Sequence, residues 1–490
     1  MILEIIILLP ILAALAIWAG APARPVSIGV ASFCLVASLV LCGQYAGQGG
    51  TGLVHAHALP VLENPAISFS VGADGVSLLM ALLSSLVLFA AVWQIQDRPP
   101  LFYIASLLIG GGALGAFLST DLFFIYAFHE LALIPTFLMI ALHGHAEPEQ
   151  RKKVAWKATI YLGAGSLVLL AGLVWLVLEF SHGNVITFDL EALKSVAAKA
   201  PLTPEKQASI FWVLLLGFGT LVSLFPFHSW AAPAYATAPT PVAMLHAGVL
   251  KKFGLYGLLK IALPLLPQAA QVPWVQNALL LMLLGNILVM GLVTINATRL
   301  DETLANSSVM HMGYIFLALA AGSELALKGA VLLMFAHGVS IALLFALAGK
   351  MRNQLGTLEY TKLGGLASHA PAFAVIFAFG AFASIGLPGL TNFAGEVLIF
   401  AGSFTTFSGT LTNLHWTVIL ALWGVVMSAV YMLRAFRNIF QGGATTGLFM
   451  RDPAFSQRIP LLLLAATLLI TGCCPWLLLN LLKGALATAG

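Results

Sequence analysis

Charged residues are scarce in this sequence, since only 8% of its 490 residues are Asp, Glu, Lys or Arg. Soluble domains carry roughly a quarter. Twenty-two basic and 18 acidic side chains cannot cover the surface of a 51.7 kDa globule, which excludes a water-soluble enzyme. The hydrophobic share of 60% and the mean hydropathy of +1.00 indicate a polytopic membrane protein. A formal net charge of +4, spread along the chain, also argues against a nucleic-acid partner.

Cysteine is rare as well, and its placement predicts no metal site. The four cysteines, Cys34, Cys42, Cys473 and Cys474, lie in apolar stretches without the spacing of metal ligands. The chain also lacks a GxGxxG motif after a strand, a P-loop, a CxxCH motif and histidine pairs spaced for haem. We therefore expect no cofactor and no electron transfer in this chain.

Long apolar runs predict an all-α membrane protein, because only helices and closed barrels satisfy their backbones in lipid and these runs do not alternate. The first run contains Glu4 and no cleavage site, so it is predicted to be a span rather than a signal peptide. About fourteen spans are predicted, near 2–20, 26–45, 76–96, 101–119, 122–142, 155–180, 209–230, 241–263, 274–297, 303–322, 329–349, 367–402, 416–433 and 459–482.

The distribution of Lys and Arg predicts the orientation, because basic residues favour cytoplasmic loops. With the N-terminus outside, thirteen of the 22 lie in cytoplasmic loops, five in outer loops and four within spans. This predicts both termini outside, together with segment 46–75, which has no Lys or Arg. An insert at 183–207 is predicted to form a short amphipathic helix, closed by Pro201 to Pro204, on the membrane surface.

Two of the acids within predicted spans lie far from the span ends, where a charge costs at least ~2.5 kcal/mol and needs a partner or a function. Glu130 follows His129 and precedes Pro135, which loosens its helix. Glu396 lies one turn after Asn392 on the same helical face. Both acids are predicted to belong to an ion or proton path; the alternative for Glu130 is an ion pair that only fixes helix register.

Lysines also occur within a predicted span. Lys251 and Lys252 are adjacent, so they point about 100° apart and do not share a face. Burial would bring such lysines within reach of physiological titration. Lys260, near the end of the span, is predicted to extend to the membrane surface.

Interrupted helices give the strongest functional pattern. Pro226 and His228 break span 209–230, and Gly386, Pro388 and Gly389 break span 367–402. Two broken helices in corresponding parts of two halves indicate inverted repeats with a polar path between them. Histidines within or at the ends of spans suit a proton relay, although a lone buried histidine is more often only hydrogen-bonded. They are His228, His246, His311 and His337.

Together these residues give the chain a resemblance to the antiporter-like subunits of respiratory complex I, within that family to the M-type. The resemblance covers nearly the whole chain. It is carried by VGADGVSLL (71–79), the Glu130 span, VAWKATIYLGAGS (154–166), FPFHSWAAPAYATAPTPV (225–242), AGVLKKFGLYG (247–257), ANSSVMHMGYI (305–315), FAHGVS (335–340) and GLPGLTNFAGE (386–396).

The resemblance implies two inverted five-helix repeats, 101–263 and 274–433, between N-terminal helices in 1–100 and a last helix in 434–490. It also implies a proton path. Glu130 matches the key acid of span five, Lys252 the central lysine of span eight, His337 the histidine of span eleven and Glu396 the acid of span twelve. Secondary candidates are Lys157, His228, His246, Lys251 and His311.

Two departures from the family pattern affect this expectation. Leu221 stands where the family usually has a lysine that pairs with the span-five acid, so Lys251, Lys157 or His228 would have to substitute. Asp301 and Glu302 stand where basic residues are common.

The implied function is outward proton translocation, driven by quinone reduction elsewhere in an NADH:quinone oxidoreductase of the bacterial cytoplasmic membrane. The chain would be a non-redox subunit of that translocase. Flavin and iron–sulfur clusters are expected in partner subunits, and the expected partners are L-, N-, K-, J-, A- and H-type subunits and the lipid bilayer. The alternatives are a subunit of a sodium/proton antiporter or membrane-bound hydrogenase, and a structural subunit that has lost pumping.

Overall fold

The protein is described by a computed structural model that covers residues 1–181, 186–443 and 449–484. Apart from one β-hairpin, its regular structure is helical, which confirms the predicted all-α class. The helices are α1 (Ile2–Trp18), α2 (Ala23–Gly47), α3 (Gly75–Gln94), α4 (Pro100–Leu118), α5 (Leu122–His143), α6 (Pro148–Phe180), α7 (Leu190–Lys199), α8 (Pro204–Val222), α9 (Ala231–Thr237), α10 (Thr240–Leu265), α11 (Pro273–Asn296), α12 (Leu300–Ala321), α13 (Glu324–Leu355), α14 (Pro371–Ile385), α15 (Thr391–Ser403), α16 (Asn413–Phe440), α17 (Phe455–Cys473) and α18 (Trp476–Leu479).

Among the described residues, eleven helices are long and apolar enough to cross a membrane: α2 to α6, α10 to α13, α16 and α17. The other three predicted spans overlap α1, which has only 17 residues, α8, and the interrupted pair α14–α15. Helix α9, on the far side of the first break, begins just after the predicted end of span 209–230. Every predicted span therefore overlaps a helix, while the count of fourteen stays a prediction.

The hairpin lies in segment 46–75, which the sequence showed only as a loop without basic residues. Strands β1 (Val54–Glu63) and β2 (Ala66–Ala73) are antiparallel, with Leu59 opposite Phe69. Ala66 bridges to Thr187, just before α7. We call this end of the helix bundle the hairpin face. Helix α7 is the predicted amphipathic helix of the insert; residues 182–185 lie outside the described part of the chain.

Loops at the other end of the bundle also meet one another. The backbone N–H of His145, after α5, donates to the carbonyl of Thr237 at the end of α9 (2.7 Å), and Arg299, before α12, bridges to Glu359, after α13. We call this end the opposite face. The grouping agrees with the predicted alternation of loops, and which face is outside stays a prediction.

Both predicted helix breaks are present. Helix α8 ends at Val222, where Ser223 adopts a left-handed conformation (φ 72°), and α14 ends before Gly386 (φ 81°). Each broken helix comes after one of the two longest helices: α8 comes after α6, with 33 residues and separated from it by the short α7, and α14 comes after α13, with 32. The order of a long helix and then a broken helix thus occurs twice along the chain.

Candidate functional site

The break after α8 is stabilised by a polar side chain from α11. Asn286 is fully buried; its carbonyl accepts from the backbone N–H of Phe225 (2.7 Å), and its amide donates to the carbonyl oxygens of Ser223 (3.0 Å) and Val309 (3.1 Å). Buried backbone groups at a helix end need such partners. The sequence analysis missed Asn286, although an amide in the middle of an apolar span is a signal that could have found it.

The break after α14 uses a histidine in a similar way. The carbonyl of Ser384 would pair with the N–H of residue 388 in a continuous helix, but Pro388 has none. His311 Nε2 lies 2.9 Å from this carbonyl instead. The Glu396 carboxylate lies against Gly386, where any side chain would collide with it. The break therefore brings a histidine and a buried acid to the same point.

A row of buried polar side chains leads towards this break from α10. Lys251 Nζ donates to Ser308 Oγ (3.4 Å), and the same oxygen lies 3.1 Å from His337 Nε2. The His337 ring stacks on His311 with 5.2 Å between centroids and 20° between planes. Each of these side chains is at most 1% exposed. The ring of Tyr235 on α9 lies 5.4 Å from Lys251 Nζ, so the broken helix also helps to place the lysine.

The row continues from His311 towards Glu396. His311 Nδ1 lies 2.8 Å from the Ser307 carbonyl, and Ser307 Oγ lies 2.8 Å from the Tyr431 hydroxyl. The Tyr314 ring packs edge-on against Phe400 (5.6 Å) on α15, the helix that carries Glu396. A hydroxyl can accept and donate at once, so Ser308 can relay a proton between Lys251 and His337. His311, stacked on His337, and Glu396, at the second break, complete the candidate proton path.

Lys252, the expected central lysine, is also fully buried but points elsewhere. Its Nζ donates to the carbonyl of Ala247 (2.6 Å) in the widened π-turn His246–Leu250. The two lysines diverge as expected, and Lys251 is the one that the structure brings into hydrogen-bonding contact with the row.

Glu130 lies on α5 with its side chain 36% exposed. Ser166 Oγ donates to it, and His129 Nδ1 lies 3.7 Å from its carboxylate. In the described ranges, His129 is the one basic group within 4.0 Å of this carboxylate. The expected substitutes for the lysine missing at Leu221 therefore do not pair with Glu130. His129 stacks on Phe253 of α10 (3.9 Å), which connects the acid to the helix that carries the lysines.

The remaining candidates lie apart from this row. Lys157 is exposed on the outer side of α6. His246 packs against Trp230 and Tyr235, with ring centroids 5.5 and 5.2 Å away. His228 stacks on Phe225 at the first break (5.1 Å).

A cavity of about 750 Å³ lies at the opposite face, beside the helix α12 that carries Ser308. Its lining includes His145, His228, Asp301, Glu302 and Asn306, the last of which precedes Ser307 and Ser308. Asp301 is buried and pairs with Arg299 (3.0 Å) and Arg352. Asp301, one of the two acids that depart from the family pattern, is thus paired with two arginines at the cavity.

The prediction that Lys260 extends to the membrane surface is wrong. Lys260 is buried and forms an ion pair with Asp74, the N-cap residue of α3. Asp74 Oδ1 also accepts from the Ser77 N–H (3.0 Å), and the Tyr256 hydroxyl lies 2.9 Å from Ser77 Oγ. The prediction considered only the short distance from Lys260 to the end of its helix. The ion pair with Asp74, 186 residues away along the chain, keeps the side chain inside the protein instead.

Two interrupted helices around a buried row of ionisable groups define a polytopic helical membrane protein of the transporter type. Residues 119–427 match the family described as "NADH:quinone oxidoreductase/Mrp antiporter, TM". The chain belongs to this family, which confirms the resemblance seen in the sequence.

Individual relatives agree with the assignment. The chain is 39% identical to NADH-quinone oxidoreductase subunit M of Pseudomonas aeruginosa over 69% of its own length and 67% of that protein. It is 32% identical to NAD(P)H-quinone oxidoreductase chain 4 1 of a Synechococcus species, over 92% and 84% of the two chains.

Solved structures share the fold. A chain of respiratory complex I from Thermus thermophilus superimposes with a TM-score of 0.88 at 29% identity, over 100% of this chain and 99% of that one. A chain of the Mrp complex from a Dietzia species gives 0.84 at 20% identity, over 99% and 96%, which shows the fold alone.

Proposed function

We propose that this chain translocates protons as a membrane-arm subunit of an NADH:quinone oxidoreductase. The observation that carries the proposal is the row from Lys251 through Ser308, His337 and His311 to Glu396. Buried titratable groups in series are costly in a membrane and are typical of proton paths. In this proposal the L-, N-, K-, J-, A- and H-type subunits are the partners, and the flavin and iron–sulfur clusters that drive translocation lie in partner subunits.

The cavity supplies one end of the path and the second break supplies the other. A proton enters from the opposite face beside His228 and Asn306 and reaches the lysines. Ser308 accepts the proton on one lone pair while it donates its own hydrogen to His337. The proton then passes through His311 to Glu396 and leaves at the hairpin face.

The orientation follows from the charge bias. The cavity face carries the excess of Lys and Arg, so we assign it to the cytoplasm, and we place both termini outside a bacterial cytoplasmic membrane. We also propose that 101–263 and 274–433 are inverted five-helix repeats, flanked by 1–100 and 434–490. The repeated order of a long helix and a broken helix supports these boundaries.

Glu130 acts as the electrostatic control of the path in this proposal. Because Leu221 cannot pair with it, His129 takes the role of its cationic partner. The contact of His129 with Phe253 transmits a rearrangement of this pair to α10.

Glu396→Gln tests the proposal, because it keeps the shape of the side chain but cannot release a proton. Membrane vesicles with the assembled complex should keep NADH:quinone activity while the number of protons pumped per electron falls. The control is Glu324→Gln, an acid on the hairpin face that pairs with Lys328 and lies outside the path. Pumping at the wild-type ratio in Glu396→Gln would remove Glu396 from the path.

The same vesicles test the alternative of sodium/proton antiport, which the family description and the shared Mrp fold keep open. Proton movement that follows an imposed sodium gradient without electron transfer would favour the antiporter. Pumping that requires NADH and is independent of sodium would favour the oxidoreductase.

A further inference from the structure

A groove on the outer side of α6 combines basic, aromatic and apolar side chains. It encloses about 580 Å³ at the opposite face. Its lining includes Lys152, Lys153, Trp156, Lys157 and Ile160, which at about 100° per residue fall within a stripe about 140° wide along one side of the helix. All five are exposed, Trp156 at 59% and Ile160 at 65%.

The position along α6 places the lysines at the level of lipid headgroups. A helix of 33 residues is about 50 Å long, whereas the hydrocarbon core of a bilayer is ~30 Å thick. The first turns of α6 therefore extend beyond the hydrocarbon. Trp156 packs edge-on against Phe137 (5.3 Å), as expected for an aromatic anchor at the membrane boundary. Below it, the exposed side continues with Ile160 and Leu167 (66% exposed).

The charge of the groove selects an anion. Three ammonium groups face a single carboxylate, Glu149, which lies 3.7 Å from Lys152. The groove also lies at the N-terminal end of α6, where the helix dipole favours negative charge. Tyr161, which also lines the groove, accepts a hydrogen bond from Ser229 (3.0 Å) through its hydroxyl oxygen. Its hydroxyl hydrogen is not used in that contact and can be donated to an anion.

We propose that this groove binds the phosphodiester headgroup of an anionic phospholipid. Lys152, Lys153 and Lys157 contact the phosphate, and the acyl chains lie along Ile160 and Leu167. A basic rim above a continuous apolar surface fits a lipid better than a soluble anion, which would leave the apolar part uncovered. The site is separate from the proton row and does not depend on the proposed function.

Photolabelling of the assembled complex in phosphatidylcholine vesicles tests the site. In each sample one lipid carries a photoreactive acyl chain, either phosphatidylcholine, phosphatidylglycerol or diphosphatidylglycerol, and mass spectrometry locates adducts in α6. We expect adducts at 156–167 from the anionic lipids only. A lysine near the surface contributes roughly fivefold to the binding of an anionic lipid, so a triple change of Lys152, Lys153 and Lys157 to Gln should reduce labelling about 100-fold.

Control variants separate a specific site from general charge. Changing Lys194, Lys199 and Lys206 to Gln removes three charges from the hairpin face and should leave α6 labelling unchanged. Lys157→Arg should keep it, and Lys157→Gln alone should lower it about fivefold even if the triple variant fails to assemble.

Several results would overturn the proposal. These are unchanged labelling in the triple variant, equal labelling by photoreactive phosphatidylcholine, or adducts on a partner polypeptide in place of lipid adducts at α6. Loss of labelling when inorganic pyrophosphate is added would identify a soluble phosphate as the ligand and would equally refute the lipid.

Discussion

Ser308→Ala is the most direct test of the proton row, because its hydroxyl connects Lys251 to His337. The hydroxyl oxygen lies 3.4 Å from the lysine nitrogen and 3.1 Å from the histidine nitrogen. Alanine keeps the helix and removes only that oxygen. The two nitrogens then face each other across a gap too wide for a direct hydrogen bond.

The size of the effect follows from the charges. Two positive charges ~6 Å apart at an effective dielectric of ~20 repel by about 2.8 kcal/mol, so Lys251 and His337 carry the proton in turn. A hydrogen bond to a charged group is worth about 1.5–3 kcal/mol. Its loss should slow the transfer between them by roughly 10–150-fold.

The assay compares NADH oxidation with acidification of inverted membrane vesicles. Ser308→Ala should leave quinone reduction in place and lower the protons moved per electron, and Ser308→Thr should restore them. Ser340→Ala is a matched control, because Ser340 is equally buried and donates to the backbone carbonyl of His337 (3.2 Å) without reaching Lys251. Wild-type pumping in Ser308→Ala, or equal loss in both alanine variants, would refute the relay.

Two further predictions concern stability. Lys260→Met leaves Asp74 buried without its partner and should destabilise the protein by about 3–5 kcal/mol, whereas the double variant with Asp74→Asn should regain most of this stability. Thermal unfolding of the complex checks both variants. A double variant that is no more stable than the single variant would contradict the reasoning. Burial and the charges of Arg352 and Arg98 lower the pKa of His145 to about 3 from 6.5, so the unfolded chain binds a proton that the native chain does not. Stability should therefore rise with pH from 3 to 6.5, and His145→Gln should flatten that slope in melting curves; an unchanged slope would show that other groups control it.

The helical fold could be predicted because its signals are local. Apolar runs long enough to span a bilayer give the helices, and Pro226 and Pro388 mark the two breaks, since proline removes a backbone donor wherever it stands. The hairpin was missed because β1 is almost entirely exposed, so no buried periodicity marks its pairing with β2.

The site was only partly predictable, because it depends on how each helix is rotated about its axis and on contacts between residues far apart in the sequence. Lys251 and Lys252 could be seen to diverge, but the one that faces Ser308 depends on the π-turn His246–Leu250, which shifts the helical register just before them. The pairing of Lys260 with Asp74 and the insertion of Asn286 into the first break bring together residues far apart in sequence.

Asn286 also makes the two halves of the chain unequal. The first break borrows its hydrogen-bond partner from α11, beyond residue 263, whereas His311 and Ser384 at the second break both lie after residue 274. If the polypeptide were cut between α10 and α11, the N-terminal fragment would be left with buried backbone groups of Ser223 and Phe225 that only the other fragment, through Asn286, can satisfy. The C-terminal fragment would keep its own His311 contact.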